Sequence, residues 1–286
     1  MHGWLERRGL RLGWLACLLA AACSADVTPL RIDRHAASEA SARLNAYLVQ
    51  GEREAILVDA TMTLDDAQAV AAMVERSGKE LRTIFITNSQ PDKYLGLPVL
   101  VERFPEARVL ATPEVVADIE ARGPGYLERL GRRYGDRIAA RLVVPEAFAG
   151  DALELEGRRI EIHRFTGGEC PHGAALFLPD ERALLPGAIV FEGSHLFLRE
   201  RDIPGWRAHL AWIRDHGGID RIYPGHGSPA GLDVLDAMSR YLDDFEAAVA
   251  MGNREAALRY MTGRYPDYAL ERLLREYSVP AYLAEH

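Results

Sequence analysis

Thr87-Asn88-Ser89-Gln90-Pro91-Asp92-Lys93-Tyr94-Leu95-Gly96 places two carboxamides, a carboxylate and an ammonium within a single short stretch. It follows directly on Arg82 to Thr87 (RTIFIT), whose apolar, β-branched content marks a strand. It leads into a helix around Leu95 to Phe104. Upstream, Leu44 to Gln50 alternates, and Ala55-Ile56-Leu57-Val58 is a short apolar run ending at Asp59. Thr61 to Ser77 then reads as a helix, with Asp65 and Asp66 near its start and Gly78 as its stop. Downstream, Arg108 to Thr112 is a strand, and Pro113 opens a long helical region reaching about Ala140.

From Leu142 the texture changes to short strands. Ala152 to Leu155, Arg159 to Phe165, Ala174 to Leu178 and Ala183 to Phe191 are separated by Gly, Pro and Asp turns. Trp206 to His216 is helical, Ile219 to Tyr223 a strand, and Pro224-Gly225-His226-Gly227 a tight loop. Leu232 to Tyr277 is helical, broken at Met251-Gly252-Asn253 and Tyr265-Pro266. Strands alternating with helices in two halves imply packed sheets with helices outside. A two-sheet sandwich covered on both faces fits, and pattern alone leaves other α/β architectures open.

Three separated stretches narrow that choice. Asn45 to Val49 with Ala55 to Ala60 (AILVDA) resembles the opening hairpin of the metallo-β-lactamase superfamily, Asp59 included. Thr87 to Gly96 falls where that family carries Thr-His-x-His-x-Asp-His-x-x-Gly, and Tyr223 to Gly227 is similar to its closing Pro-Gly-His-Gly loop. Order and spacing continue through Gly168-Glu169-Cys170-Pro171 and Leu185-Pro186-Gly187-Ala188. The resemblance covers about Leu30 to Pro229. It implies an αββα four-layer sandwich over residues 30–230, followed by a helical C-terminal extension, residues 231–286, packed on the domain.

The departures concern chemistry. The family's zinc sites rest on imidazoles and carboxylates, each offering a lone pair at short range. By the resemblance, Asn88 and Gln90 replace the first two histidines and Glu169 the third. Ala188 replaces the aspartate that bridges the metals, and Lys93 a histidine of the second site. Asp92 and His226 survive. Amide oxygens are weak ligands for zinc. At about 4 Å and an effective dielectric of about 20, the Lys93 charge opposes a dication by roughly 8 kcal/mol. No family-type dizinc centre is therefore expected. A single zinc or other divalent cation on Asp92, Glu169 and His226 is the alternative, and it needs Lys93 to swing out.

Asn88, Gln90, Asp92, Lys93, Glu169 and His226 are expected to converge on one cleft, with Lys93 near the metal position and paired to Asp92 or Glu169. Asp59 is expected to orient the Asn88 loop by accepting backbone hydrogen bonds, and His195, after the strand that should reach the cleft, to contact substrate. Cys170 lies two residues before His172, suggesting a thiol–imidazole nucleophile, although adjacent positions seldom present the required geometry and a lone cysteine is more often an inert buried residue. His172 reads as a solvent-facing turn residue and His163 as facing solvent. Tyr94 and the Trp206/Trp212 pair read as packing residues.

At the N-terminus, Arg7, Arg8 and Arg11 precede an apolar run from Leu12 to Ala22. A basic head, short apolar run and small-residue exit describe a secretory signal over residues 1–23. Leu19-Ala20-Ala21-Ala22-Cys23 is similar to a bacterial lipobox. Lipidation at Cys23, a tether over residues 24–29 and, from Ser24, the periplasmic face of the outer membrane are the expectation. Ordinary cleavage into a soluble periplasmic protein is the alternative. Loss of this segment leaves 31 basic and 41 acidic residues, a net charge of −10 against −8 for the whole chain. Nothing basic is clustered, so no nucleic acid partner is expected, and membrane contact only through the anchor. Cys170 is then alone, and no intrachain disulfide forms.

Two functions stay open. One is a pseudoenzyme that binds a small polar ligand or a protein partner without a cofactor. The other is a hydrolase of an ester, lactone or amide, using one metal or a metal-free Asp/Lys/Glu/His site. Fold does not decide between them.

Overall fold

The computed structural model describes His2 and residues 28–283. Apart from His2, the signal segment, Cys23 and the tether through residue 27 lie outside the described residues. The first half runs β1 (Arg31–Ala36), β2 (Asn45–Gln50), β3 (Glu54–Val58), α1 (Leu64–Ser77), β4 (Glu80–Phe85), α2 (Pro91–Tyr94), α3 (Leu97–Arg103), β5 (Arg108–Ala111), α4 (Pro113–Tyr134) and β6 (Glu146–Ala147). The second runs β7 (Ala152–Leu155), β8 (Arg158–Gly167), β9 (Cys170–Leu178), β10 (Ala183–Leu185), α5 (Ile203–Asp215), β11 (Arg221–Ile222), α6 (Asp233–Ala250) and α7 (Arg254–Arg264), with shorter helical turns through Tyr282.

Strands β1 to β6 form one sheet in sequence order, antiparallel from β1 to β3 and parallel from β3 to β6. The other sheet runs β11-β10-β9-β8-β7, with β10 and β11 parallel. Both faces of each sheet are covered, which is why Ala55 to Val58 is continuously apolar rather than alternating. Successive side chains point to opposite faces. Tyr47, Val49, Ile56 and Val58 therefore meet Leu153, Ile160, Leu176 and Leu185 between the sheets. Ala46, Leu48, Ala55 and Leu57 pack outward against Val70 and Val74 of α1 and Ile119 of α4. On the other side, Trp206, Leu210 and Ile213 of α5 join Leu235, Leu242 and Phe245 of α6 and the C-terminal Leu273, Leu274 and Val279 in one cluster. The result is an αββα four-layer sandwich whose C-terminal helices cover one outer layer.

Local signals placed several boundaries. Thr63 caps α1, accepting from the Asp66 N–H, and Gly78 closes it at φ 66°. One expectation needs correction. Ala183 to Phe191 is not one strand: β10 ends at Leu185, and a 3-10 turn over Gly187–Ile189 follows. The edge strand β1 had no apolar signature, since its residues are charged or half-exposed. No described helix is long and apolar enough to cross a membrane.

Candidate functional site

The carboxyl ends of β3, β4, β10 and β11 open toward one region, where α/β folds commonly place ligands. The residue after β3 is Asp59, held in the left-handed region at φ 62°. Its carboxylate accepts from the Thr87 N–H at 2.9 Å and from the Thr87 hydroxyl. This orients the loop after β4. That loop is tied a second time by the Ala60 N–H to the Lys93 carbonyl and the Gly96 N–H to the Thr61 carbonyl. A side chain at Gly96 would run into the Ala60 carbonyl, so only glycine permits this approach.

His226 arrives from the opposite sheet. The Tyr47 hydroxyl and Asn45 amide both donate to the Pro224 carbonyl, at 2.8 and 2.9 Å. A Cβ at Gly225 would lie 2.6 Å from the Gly187 carbonyl oxygen, so the loop packs against the turn after β10. His226 stacks on Phe191 with ring centroids 4.2 Å apart. Its Nδ1 lies 2.9 Å from the Ala42 carbonyl, which can only accept, so Nδ1 carries the proton and Nε2 presents a lone pair.

That lone pair faces an ammonium. Lys93 Nζ lies 3.5 Å from His226 Nε2 and 2.6 Å from Asp92 Oδ2. The Lys93 side chain is 0% exposed. Burial opposes its charge, but Asp92, Glu169 and Asp59 outweigh burial and hold its pKa above the ordinary lysine value. His226 is pushed down to about 3 by burial and by Lys93. Glu169 sits in the Gly167-Gly168 turn between β8 and β9, where Gly168 donates to Asp202. The Asn88 amide donates to Glu169 Oε2 at 3.1 Å, and Asn88 Oδ1 accepts from the Gln90 N–H at 2.9 Å. Asn88, Gln90, Asp92, Lys93, Glu169 and His226 thus share one region.

Two residues, His195 and His163, lie otherwise than expected. His195 does not reach the cleft. Its backbone N–H bonds to Ala269 and its Nδ1 lies 2.8 Å from the Tyr241 hydroxyl, so it is clamped beneath the C-terminal helices. Burial lowers its pKa to about 4. His163 is not solvent-facing, because its ring stacks on Trp212 at 3.6 Å. Cys170 and His172 form no thiol–imidazole pair. The Cys170 thiol donates to the His172 backbone carbonyl, and burial pushes its pKa well up, while the His172 ring contacts Asp118 at 2.9 Å. Trp206 and Tyr94 are buried packing residues as expected. Arg129, Arg199 and Arg272 line the cleft but had no motif to announce them.

The donor set does not fit the zinc centre that the resemblance implies. The ammonium faces both Asp92 Oδ2 and His226 Nε2, the Asn88 amide is engaged by Glu169 and the Gln90 N–H, and Ala188 offers no side-chain donor atom. Among the described residues no three His, Cys, Asp or Glu side chains converge to hold a metal ion.

Burial raises Glu169 to about 8 and Asp59 to about 7, with Lys93 opposing both shifts. A folded pKa above the unfolded one stabilises fully below about pH 4, and that contribution is lost as pH rises through the folded value. His226 acts oppositely: its contribution is complete above about pH 6.5, so the carboxyl effect stands alone above that point. Unfolding free energy should fall between about pH 6.5 and 9 by at most about 1.4 kcal/mol per unit for each group. Glu169→Gln, which keeps the acceptor for Asn88 without the charge, should flatten the slope and exceed the parent in stability at about pH 9. Denaturant melts at half-unit intervals test this; unchanged slopes in the variant would contradict it.

A model of the metallo-beta-lactamase superfamily matches residues 44–226. No curated protein is similar to the chain in sequence. A metallo-beta-lactamase family protein from Thermus thermophilus is similar in structure, with 22% identity, a TM-score of 0.62, and coverage of 84% of this chain and 87% of its own. A metallo-beta-lactamase from Pontibacter korlensis aligns with 16% identity and a TM-score of 0.56, covering 70% of this chain and 87% of its own. At these identities the structural likeness speaks for the fold alone, and it agrees with the motif order from Asn45 to His226. The chain belongs to the metallo-beta-lactamase superfamily, with a lysine ammonium set between Asp92 and His226.

Proposed function

We propose that this protein is an exported, metal-independent ligand-binding member of its superfamily, tethered by a lipid at Cys23 to the periplasmic face of the outer membrane. The observation that carries this reading is the fully buried Lys93 ammonium between Asp92 Oδ2 and His226 Nε2. A buried charge needs a partner, and here a fixed side chain does what a metal does in relatives that hold one. Such a site activates no water, because an ammonium is not a Lewis acid and leaves water's pKa where it is. The pocket's carboxyls are engaged, Asp92 by Lys93 and Glu169 by the Asn88 amide. Lys93 is protonated, and the free nitrogen of His226 faces it rather than the opening. What remains is an organised cleft suited to holding a ligand, with no nucleic acid partner.

The test is metal content by mass spectrometry on protein purified without chelator, with melting temperature followed in chelator and in zinc. The expected result is far less than one metal per chain and a melting temperature indifferent to both additions. Stoichiometric zinc that Asp92→Ala and His226→Ala abolish would replace this reading with a one-metal hydrolase. Hydrolysis of an ester, lactone or amide that survives chelator but fails in Glu169→Ala would replace it with an unusual metal-free catalyst.

A further inference from the structure

The mouth of the cleft carries a charge pattern at odds with the rest of the molecule. The chain as a whole has a formal charge of −8. Yet Arg129 from α4, Arg199 from the segment before α5 and Arg272 from the C-terminal helices all line this one opening. Nearby carboxylates are already engaged by other arginines: Glu200 by Arg122 at 3.6 Å, Glu276 by Arg133 at 3.3 Å, and Glu271 by Arg275. Among the described residues none of the three lining arginines has an ion-pair partner. Asp92, on the cleft floor, is neutralised by Lys93, and Glu169 is held by the Asn88 amide.

Aromatic surface is interleaved with these cations. Arg129 stands over the Tyr126 ring at 4.9 Å, and Arg272 Nη1 donates to the Tyr134 hydroxyl at 3.3 Å. Phe197 and Tyr277 contact each other, ring centroids 5.5 Å apart, and complete the wall. The cleft these residues line has a volume of about 100 Å3, below the several hundred typical of sites that enclose a drug-sized ligand. A ligand therefore keeps its bulk in the mouth, where the arginines and rings are.

We infer that the cleft takes a small oxyanion, carboxylate or phosphate monoester, carried on a flat apolar body. The guanidinium groups bind the anion, for which their planar donor array suits both chemistries. Tyr126, Phe197 and Tyr277 cover the apolar part. Like-signed charge at a partly dry opening also concentrates anions from solution. The assignment rests on the ligand-binding reading above and adds the chemical class of the ligand.

Fluorescence titration of the full-length protein with 2-naphthoate, 2-naphthyl phosphate and neutral 2-naphthamide tests it. The expected result is saturable binding of at least one anion about ten-fold or more tighter than the amide, the scale of one charge-assisted hydrogen bond. The tighter anion identifies the headgroup. In Arg129→Gln/Arg199→Gln, both exposed and so harmless to folding, that preference should fall to near parity while amide affinity stays put. Equal affinity for amide and anions in the parent would overturn the oxyanion assignment and leave a ligand-binding cleft. A preference that survives in the double variant would overturn the role of these arginines. Failure of all three probes to bind would count against both this inference and the reading it rests on.

Discussion

Lys93→Met should lower the unfolding free energy by about 3–5 kcal/mol at about pH 7.5, the cost of stripping one partner from a buried ion pair. Methionine preserves the length and apolar stem of lysine, so the loss reports on charge rather than on a cavity. In the parent, Nζ satisfies Asp92 at 2.6 Å and faces His226 at 3.5 Å. Without it, Asp92 is left with His226 Nε2 at 3.8 Å, a nitrogen that carries no proton at neutral pH. The variant has a way to compensate. Lys93 is one of the causes depressing His226, and its removal lets the imidazole take up a proton and pair with Asp92. Burial still opposes the charge, but a folded pKa higher than the parent's removes part of the cost of protonating His226, so the penalty should shrink as pH falls toward about 5. Lys93→Met/Asp92→Asn removes both charges and should recover most of the loss, with a coupling energy visible in the double-mutant cycle. A cost under about 1 kcal/mol, unchanged by pH, would show that Lys93 is not the internal counter-ion of this site.

What the sequence disclosed and what it hid separate along physical lines. Features made by neighbours in the chain were legible: the Gly78 stop of α1, the apolar run of β3, and the breaks at Gly252 and Pro266. Asp59 was legible too, because a carboxylate at a strand end next to a loop of unpaired N–H groups has an evident partner, Thr87. The edge strand β1 was not, since it covers no core face and its charged residues carry no period. His195 misled because its position after β10 suggested the cleft, whereas the bond between its N–H and Ala269, 74 residues later, turns it away. The Gly187 turn hid inside an apolar stretch, and only its φ of 56° and the approach of Gly225 reveal that the chain must bend there. Arg129, Arg199 and Arg272 come from three elements far apart in sequence and meet only in the folded chain. No local pattern encodes such a meeting.

Asn88→His/Gln90→His/Glu169→His should fail to acquire tight zinc binding while Lys93 remains, and should acquire it when Lys93→Met is added. The three positions already lie together, since Asn88 contacts both the Glu169 carboxylate and the Gln90 N–H. Three imidazoles and an open position meet the ligand count of a zinc site. The obstacle is the neighbouring ammonium, which at about 4 Å opposes a dication by roughly 8 kcal/mol at an effective dielectric of about 20. The Lys93→Met set has the opposite balance, because Asp92 then lacks a cation that the metal can supply. That protein should be the less stable one in chelator and the more stable one in zinc, gaining about 4 kcal/mol at a zinc concentration about a thousand times Kd. For a chain of this size the gain corresponds to roughly 10 °C in Tm. Calorimetric melts of both sets, with zinc and with chelator, give the comparison directly. Equal zinc stabilisation with Lys93 present would mean that the ammonium swings out when a metal arrives, and that the histidine replacements alone removed metal binding. Stabilisation confined to the Lys93→Met set would instead identify this one side chain as the resident cation for which the fold exchanged its zinc.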